Sequence, residues 1–70
     1  MDYVVVIERG ADGSYSAYLP DLPGCTACGD TPEEVRREID EAVALHIESL
    51  REHGEPVPAP SAMTHSVHAA

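Results

Sequence analysis

Two cysteines, Cys25 and Cys28, stand three positions apart in this chain of 70 residues. Such a pair is typical of zinc sites and of redox-active thiols, and His65 and His68 would complete four zinc ligands. However, strand residues three apart point to opposite faces of a sheet, and two further residues separate the pair from the predicted helix. We therefore predict no metal site and no cofactor. Metal binding through these four residues stays the alternative, which elemental analysis of the purified protein would test.

Histidine and acidic residues are the other candidates for catalysis. His46 lies on the apolar stripe of the predicted helix, with no Ser or Cys at helical spacing, so packing explains it better than acid–base catalysis. Asp12, Asp21 and Asp30 fall in predicted turns, where Asp is common for local reasons. A metal-dependent nuclease needs several acids at one point, and the predicted strands add Glu8. We predict no catalytic residue and no enzyme; a degenerate metal-dependent nuclease is the least favoured alternative.

The charge balance is strongly acidic. The chain has 13 Asp and Glu against 4 basic residues, for a formal charge of −9, and nine of the acids lie in residues 30–55. This charge repels phosphate backbones, so we expect no direct binding of nucleic acid, and it favours a basic protein partner. A solvated helix face would show the same pattern, and the sequence alone does not choose between the two interpretations.

The compartment is indicated by what the sequence lacks. No apolar run approaches the roughly 18 residues of a membrane span, and the acidic start of the chain does not resemble a signal peptide. The two neighbouring cysteines would close a very small loop, which is not a disulfide scaffold. We therefore predict a cytoplasmic protein that does not contact the membrane.

The pattern of residues predicts an antiparallel sheet and one long helix. Strands are predicted at residues 3–9, 14–19 and 25–28, with a Gly-containing hairpin turn at 10–13. The helix is predicted from Pro32 to His53, with Thr31 as its N-cap, and a proline-rich segment follows at 56–60. The fold class is therefore α+β, with a three- to four-stranded antiparallel sheet and the helix packed on one face. Residues 61–70 are predicted to form either a short last strand (β-β-β-α-β) or a flexible tail.

The first strand carries apolar residues on both faces, in a chain that buries only about 60 % of its surface. Tyr3, Val5 and Ile7 would share one face and Val4 and Val6 the other, so that the helix covers one face and leaves the second apolar. We interpret the second apolar face as an interface with another subunit. This predicts a homodimer or a homotetramer.

The combined spacing of several motifs resembles the HicB antitoxin family over residues 3–60, the predicted domain being residues 1–60. The motifs are the segments YSAYLPDLPGC and GDT, the long acidic helix, and the prolines at positions 56, 58 and 60. The resemblance implies a partial ribonuclease H-like fold and a HicA-like toxin as partner, a small basic ribonuclease that cleaves mRNA. Binding would cover the toxin's catalytic surface. HicB antitoxins usually continue into a DNA-binding domain, and these 70 residues contain no basic segment of that kind.

These arguments lead to a predicted antitoxin that binds and occludes its toxin. An orphan homo-oligomeric HicB-like binding or scaffold module is the alternative. The predicted partner contacts are one aromatic residue and four acids: Tyr18, Asp21, Glu34, Glu41 and Glu48. The residues predicted to be structural are those of the turns and the helix start: Pro23, Gly24, Gly29 and Thr31.

Overall fold

Three strands and one helix are formed by residues 2–70, the part of the chain that a computed structural model describes. The elements follow in the order β1 (Val6–Arg9), β2 (Tyr15–Tyr18), β3 (Thr26–Gly29) and α1 (Pro32–Glu52). The strands pair antiparallel in the order β1-β2-β3, and α1 packs against the sheet. The predicted α+β fold class is confirmed.

The register of the strands divides the sheet into two faces. Ala17 of β2 lies opposite Ile7 of β1 and Ala27 of β3, and these side chains point toward α1. The next position along β2, Tyr18, lies opposite Val6 and Thr26. Because side chains alternate along a strand, this second set points away from the helix. We call the two surfaces the covered face and the open face.

The core lies between the covered face and α1. Its buried members come from β2, from the loop after it and from the first half of the helix: Ala17, Leu19, Leu22, Cys25, Val35 and Ile39. Each large apolar side chain buried in this way stabilises the fold by about 1.5–3 kcal/mol. Leu22 is 1 % exposed although it lies in the loop after β2, between Pro20 and Pro23.

The junction of β3 and α1 depends on two small residues. The Thr31 hydroxyl accepts a hydrogen bond from the Glu34 backbone amide at 3.1 Å, and Pro32 opens the helix. Thr31 therefore caps one of the amides that has no partner within the helix. A Cβ on Gly29 would lie 2.9 Å from the Val35 backbone nitrogen, so the strand meets the helix start too closely for any larger residue.

The strands and the end of the chain differ from the prediction in extent. β1 begins at Val6 rather than at residue 3, and α1 ends at Glu52, with His53 as its C-cap. Of the two predicted sheets, the structure has the three-stranded one, because residues 61–70 contain no strand. Proline lacks a backbone N–H, so the proline-rich segment before them does not extend a strand ladder. The described part of the chain contains no helix with the length and apolar character needed to cross a membrane.

Candidate functional site

The open face is the first candidate interaction surface. Tyr18 is 41 % exposed there, and Val4 and Val6 are half-buried beside it. None of the three belongs to the hydrophobic cluster under α1. The open face thus combines β-branched and aromatic side chains on a surface that the helix does not cover, which is a typical composition for a protein–protein contact.

A stripe of acids along α1 is the second candidate surface. Glu34, Glu41 and Glu48 are spaced seven residues apart, and a heptad drifts by only about 20° around a straight helix. The three therefore share one side of α1, where Glu41 and Glu48 point away from the buried Val35 and Ile39 and Glu34 lies beside Gly29 of β3. Glu41 and Glu48 are exposed and Glu34 is half-buried. We call this set the acidic stripe.

The structure does not bring the predicted partner contacts together. Tyr18 points away from α1 on the open face, whereas the acidic stripe lies on the side of α1 that faces away from the sheet. The two sets are on opposite sides of a two-layer molecule whose smallest extent is 16 Å. One small partner with a flat binding surface would contact one set or the other.

Asp21 holds the segment that follows the prolines. Its carboxylate accepts hydrogen bonds from the Ser61 hydroxyl at 2.7 Å, the Ser61 amide at 3.0 Å and the Ala62 amide at 3.1 Å. The hydrogen bonds from Ser61, foremost that of its hydroxyl, hold the pKa of the Asp21 carboxyl below its usual value. Both carboxylate oxygens thus accept hydrogen bonds within the chain, and no local sequence pattern indicates this long-range contact.

A second tether lies near the start of the chain. The Tyr3 hydroxyl donates a hydrogen bond to the Pro58 carbonyl. Together with the contacts of Asp21, it fixes residues 58–62 against the domain. Beyond this segment the apolar side chains are almost fully solvated, Met63 at 92 % and Val67 at 82 % exposed.

The residues considered for metal and redox chemistry are separated by the fold. Cys25 is buried, and burial raises the pKa of its thiol, which makes it a poor source of thiolate. Cys28 is exposed in β3. Within residues 2–70, no three His, Cys, Asp or Glu side chains are grouped so that they could hold a metal ion.

The other catalytic candidates have local surroundings that explain them. Asp12 accepts hydrogen bonds from the Ser14 hydroxyl at 2.7 Å and the Ser14 amide at 3.0 Å, which lower its pKa and close the hairpin turn. His46 is half-buried on the apolar side of α1, and Glu8 is exposed on the open face of β1.

A small cavity between the start of the chain and α1 was not predicted. It has a volume of about 220 Å³ and is lined by Asp2, Tyr3, Val5, Leu19, Asp40 and Val43. A single sequence contains no signal for it, because it depends on how far the helix reaches across the sheet. Asp40 and Val43 do lie on the same flank of α1, three residues apart.

Comparison with known families and proteins gives a consistent result. Residues 3–70 match the family described as the HicB-like antitoxin of bacterial toxin–antitoxin systems. A UPF0150 protein of Thermoplasma acidophilum is 42 % identical over 99 % of this chain and 100 % of its own length. A UPF0150 protein of Synechocystis is 47 % identical over 81 % of this chain and 72 % of its own.

Two solved structures resemble the fold. A chain of the HicA3 and HicB3 toxin–antitoxin complex superposes with a TM-score of 0.72 at 34 % identity, covering 87 % of this chain and 70 % of that one. The N-terminal domain of the Burkholderia pseudomallei antitoxin HicB gives a TM-score of 0.74 at 27 % identity, covering 84 % and 69 %. Both similarities extend over the sheet and the helix together, since each match covers far more residues than the helix or any one strand contains.

Proposed function

The chain belongs to the HicB-like antitoxin family, as its motifs predicted, and from this premise we propose that it binds and occludes a HicA-type toxin. The toxin would be a small basic ribonuclease that cleaves mRNA, and the complex would form in the cytoplasm. The observation that carries the proposal is the similarity to a chain of a HicA3–HicB3 complex at 34 % identity.

Inhibition by occlusion needs a complementary surface and no chemistry. The formal charge of −9 favours a basic partner and speeds encounter with it. The thiol of Cys25 is buried, and the carboxylates of Asp12 and Asp21 accept hydrogen bonds within the chain. These features support a role as a non-enzymatic binding protein.

We assign the toxin to the acidic stripe. Glu41 and Glu48 are exposed and lie on the outer side of α1, and Leu45, 66 % exposed, adds an apolar side chain close to them. Tyr18, on the opposite side, is then left for a different contact. Asp21 as a toxin contact stays a prediction.

The test uses any small basic protein that is encoded beside this gene, purified as a catalytically inactive variant for binding and as the active enzyme for RNA cleavage. Stoichiometric addition of this chain is expected to stop cleavage, with a dissociation constant that rises with salt. The double substitution Glu41→Lys/Glu48→Lys should weaken binding at least tenfold, because it reverses two interfacial charges.

The matched control is Asp30→Lys/Glu55→Lys, which makes the same change in net charge at exposed positions off the stripe. Equal weakening by both pairs would mean that net charge, rather than this surface, determines binding. If the wild-type chain and the basic protein stay separate at low salt, the proposed function is wrong.

The open face favours a second function, that of a homo-oligomeric binding module without a toxin. Val4, Val6 and Tyr18 form an apolar patch that a second copy could cover, producing a dimer or, with a further contact, a tetramer. Light scattering should then give a mass above the 7.5 kDa of one chain. Val6→Thr/Tyr18→Ser should return it to the monomer, and a wild-type monomer at all concentrations would contradict the idea.

A further inference from the structure

The cavity near the start of the chain exists because α1 covers the sheet unevenly. The helix packs mainly against β3 and β2, so the covered face near β1 is left partly open. Val5, which precedes β1, and Leu19, which follows β2, line the resulting cavity from the sheet side. Val43 lines it from the helix, and the volume is about 220 Å³.

The chemistry of the lining is that of an apolar floor with an acidic rim. Val5, Leu19 and Val43 are aliphatic, while Asp2 and Asp40 are exposed carboxylates, and among residues 2–70 no basic side chain lines the cavity. Pockets for small molecules usually measure about 300–1,000 Å³, so this one is too small for a typical free ligand. It is of a size for one long side chain.

We propose that the cavity receives an arginine side chain of the bound protein, a proposal that rests on the function proposed above. The aliphatic part of an arginine would contact the floor of Val5, Leu19 and Val43 while its guanidinium reaches the carboxylates of Asp2 and Asp40. Arginine suits this arrangement because its stem is apolar and its planar donors match carboxylate geometry. A basic toxin supplies such side chains.

The position of Asp40 connects the cavity to the acidic stripe. Asp40 adjoins Glu41 in sequence, and successive helix residues are separated by about 100°, so the cavity lies on the flank of α1 about a quarter turn around the helix from the stripe. A protein that covers the stripe can therefore place one side chain in the cavity without contacting the open face. The inserted arginine would act as an anchor within the larger charged contact.

The cavity itself is tested without any toxin. Titration of N-acetyl-arginine amide into ¹⁵N-labelled protein should shift the amide signals of Tyr3, Val5, Leu19 and Val43. N-acetyl-glutamine amide, which is neutral, and guanidinium chloride, which lacks the aliphatic stem, should shift them several-fold less at equal ionic strength. Asp2→Asn/Asp40→Asn should remove the response to the arginine probe. Equal responses to the three probes, or an unchanged response in the variant, would overturn the proposal.

The second experiment measures toxin binding. Asp2→Asn/Asp40→Asn is expected to raise the dissociation constant about fivefold or more, since it removes two solvent-exposed ion pairs with the inserted arginine. The control Asp30→Asn/Glu55→Gln removes the same charge at exposed positions away from the cavity. It should change the dissociation constant less than twofold.

The two proposals fail in different ways. If the wild-type chain binds no toxin, the proposed function is wrong, and the arginine-amide titration still decides whether the cavity takes this side chain. If the toxin binds and the cavity and control variants bind it equally, the arginine site is wrong and the proposed function stands.

Discussion

The two faces of the sheet have similar residue types and opposite surroundings. On the covered face, Ala17 and Leu19 are buried under α1 together with Cys25 from the following loop. On the open face, Val6 is half-buried and Tyr18 is 41 % exposed, although valine and tyrosine are as suited to a core as the residues opposite. The difference lies in the single helix, which has one apolar side and can cover one face.

This comparison separates stability from recognition. Side chains on the covered face contribute to folding because they pack against α1 within one chain. Side chains on the open face gain the same contribution only when a second molecule covers them. A small domain that leaves apolar residues on one face is therefore suited to association. Substitutions on the two faces should then differ in their effect on the free energy of unfolding.

The largest effect is expected from Ile39→Ala on the covered side. Ile39 is 2 % exposed and packs in the centre of the core, so its truncation should lower the free energy of unfolding by about 3 kcal/mol. Urea denaturation followed by circular dichroism measures this loss. The control Leu45→Ala, on the exposed side of the same helix, should change it by less than about 0.5 kcal/mol. Similar losses in the two variants would mean that α1 does not pack as described.

The next effect is expected where the sheet meets the helix. Gly29→Ala places a Cβ 2.9 Å from the Val35 backbone nitrogen, so the helix start must move. Overpacking of this kind costs about 1–3 kcal/mol. Thermal unfolding should show a lower melting temperature for Gly29→Ala than for Cys28→Ala. Cys28 is the neighbouring residue and is exposed on the open face. A neutral Gly29→Ala would refute the close approach.

A smaller effect on stability is expected on the open face. Val6→Thr/Tyr18→Ser should change the free energy of unfolding of the dilute monomer by less than about 1 kcal/mol, because these side chains are not enclosed. Dilute samples are needed so that association does not add to stability. A loss as large as that of Ile39→Ala would show that the open face is part of the core.

The smallest effect is expected at the margin of the domain, where Asp21 holds residues 61 and 62. The pKa of Asp21 is lowered from 3.8 by its hydrogen bonds, so ionised Asp21 favours the tethered state. The contribution is present above pH 3.8 and is lost as the pH falls through the lower pKa of the folded state. The amide shifts of Ser61 and Ala62 should show no change from Asp21 between neutral pH and pH 3.8, and should change as the pH falls further.

Asp21→Asn should produce the change in those amide shifts at every pH, because the amide side chain accepts fewer of the three hydrogen bonds. Asp12→Asn is the control, since Asp12 is also an acid with a lowered pKa but binds Ser14 within its own turn. If Asp21→Asn leaves the signals of Ser61 and Ala62 unchanged, the tether does not form in solution.

Much of the fold could be predicted from local signals. The helix start follows from Thr31 and Pro32, and the hairpin follows from the glycines on either side of Asp12, because caps and turns depend on neighbouring residues. The strand starts were less accurate: β1 begins at Val6, since a strand needs a paired neighbour as well as β-branched residues. The burial of Leu22 was missed because a loop pattern does not indicate where its apolar residue points.

The candidate site was less predictable than the fold. Tyr18 and the acids of α1 were all predicted to contact the partner, yet they lie on opposite sides of the molecule. Residue type indicates which side chains are suited to the surface, but it does not indicate which of them share one surface. The contact of Asp21 with Ser61 spans 40 positions, and no local pattern signals such a distance.

By itself, the sequence determined the family, the order and type of the elements, the cap of the helix and the acidic charge. The elements, the cap and the charge depend on residue type and on short spacings, and the family depends on the combined spacing of motifs over residues 3–60. The tertiary structure alone decided which apolar face is covered, where the cavity of about 220 Å³ lies and that Tyr18 and the acidic stripe are on opposite sides. The reason is geometric: each of these depends on the direction in which one helix crosses three strands, and that direction is set by packing between residues far apart in the chain.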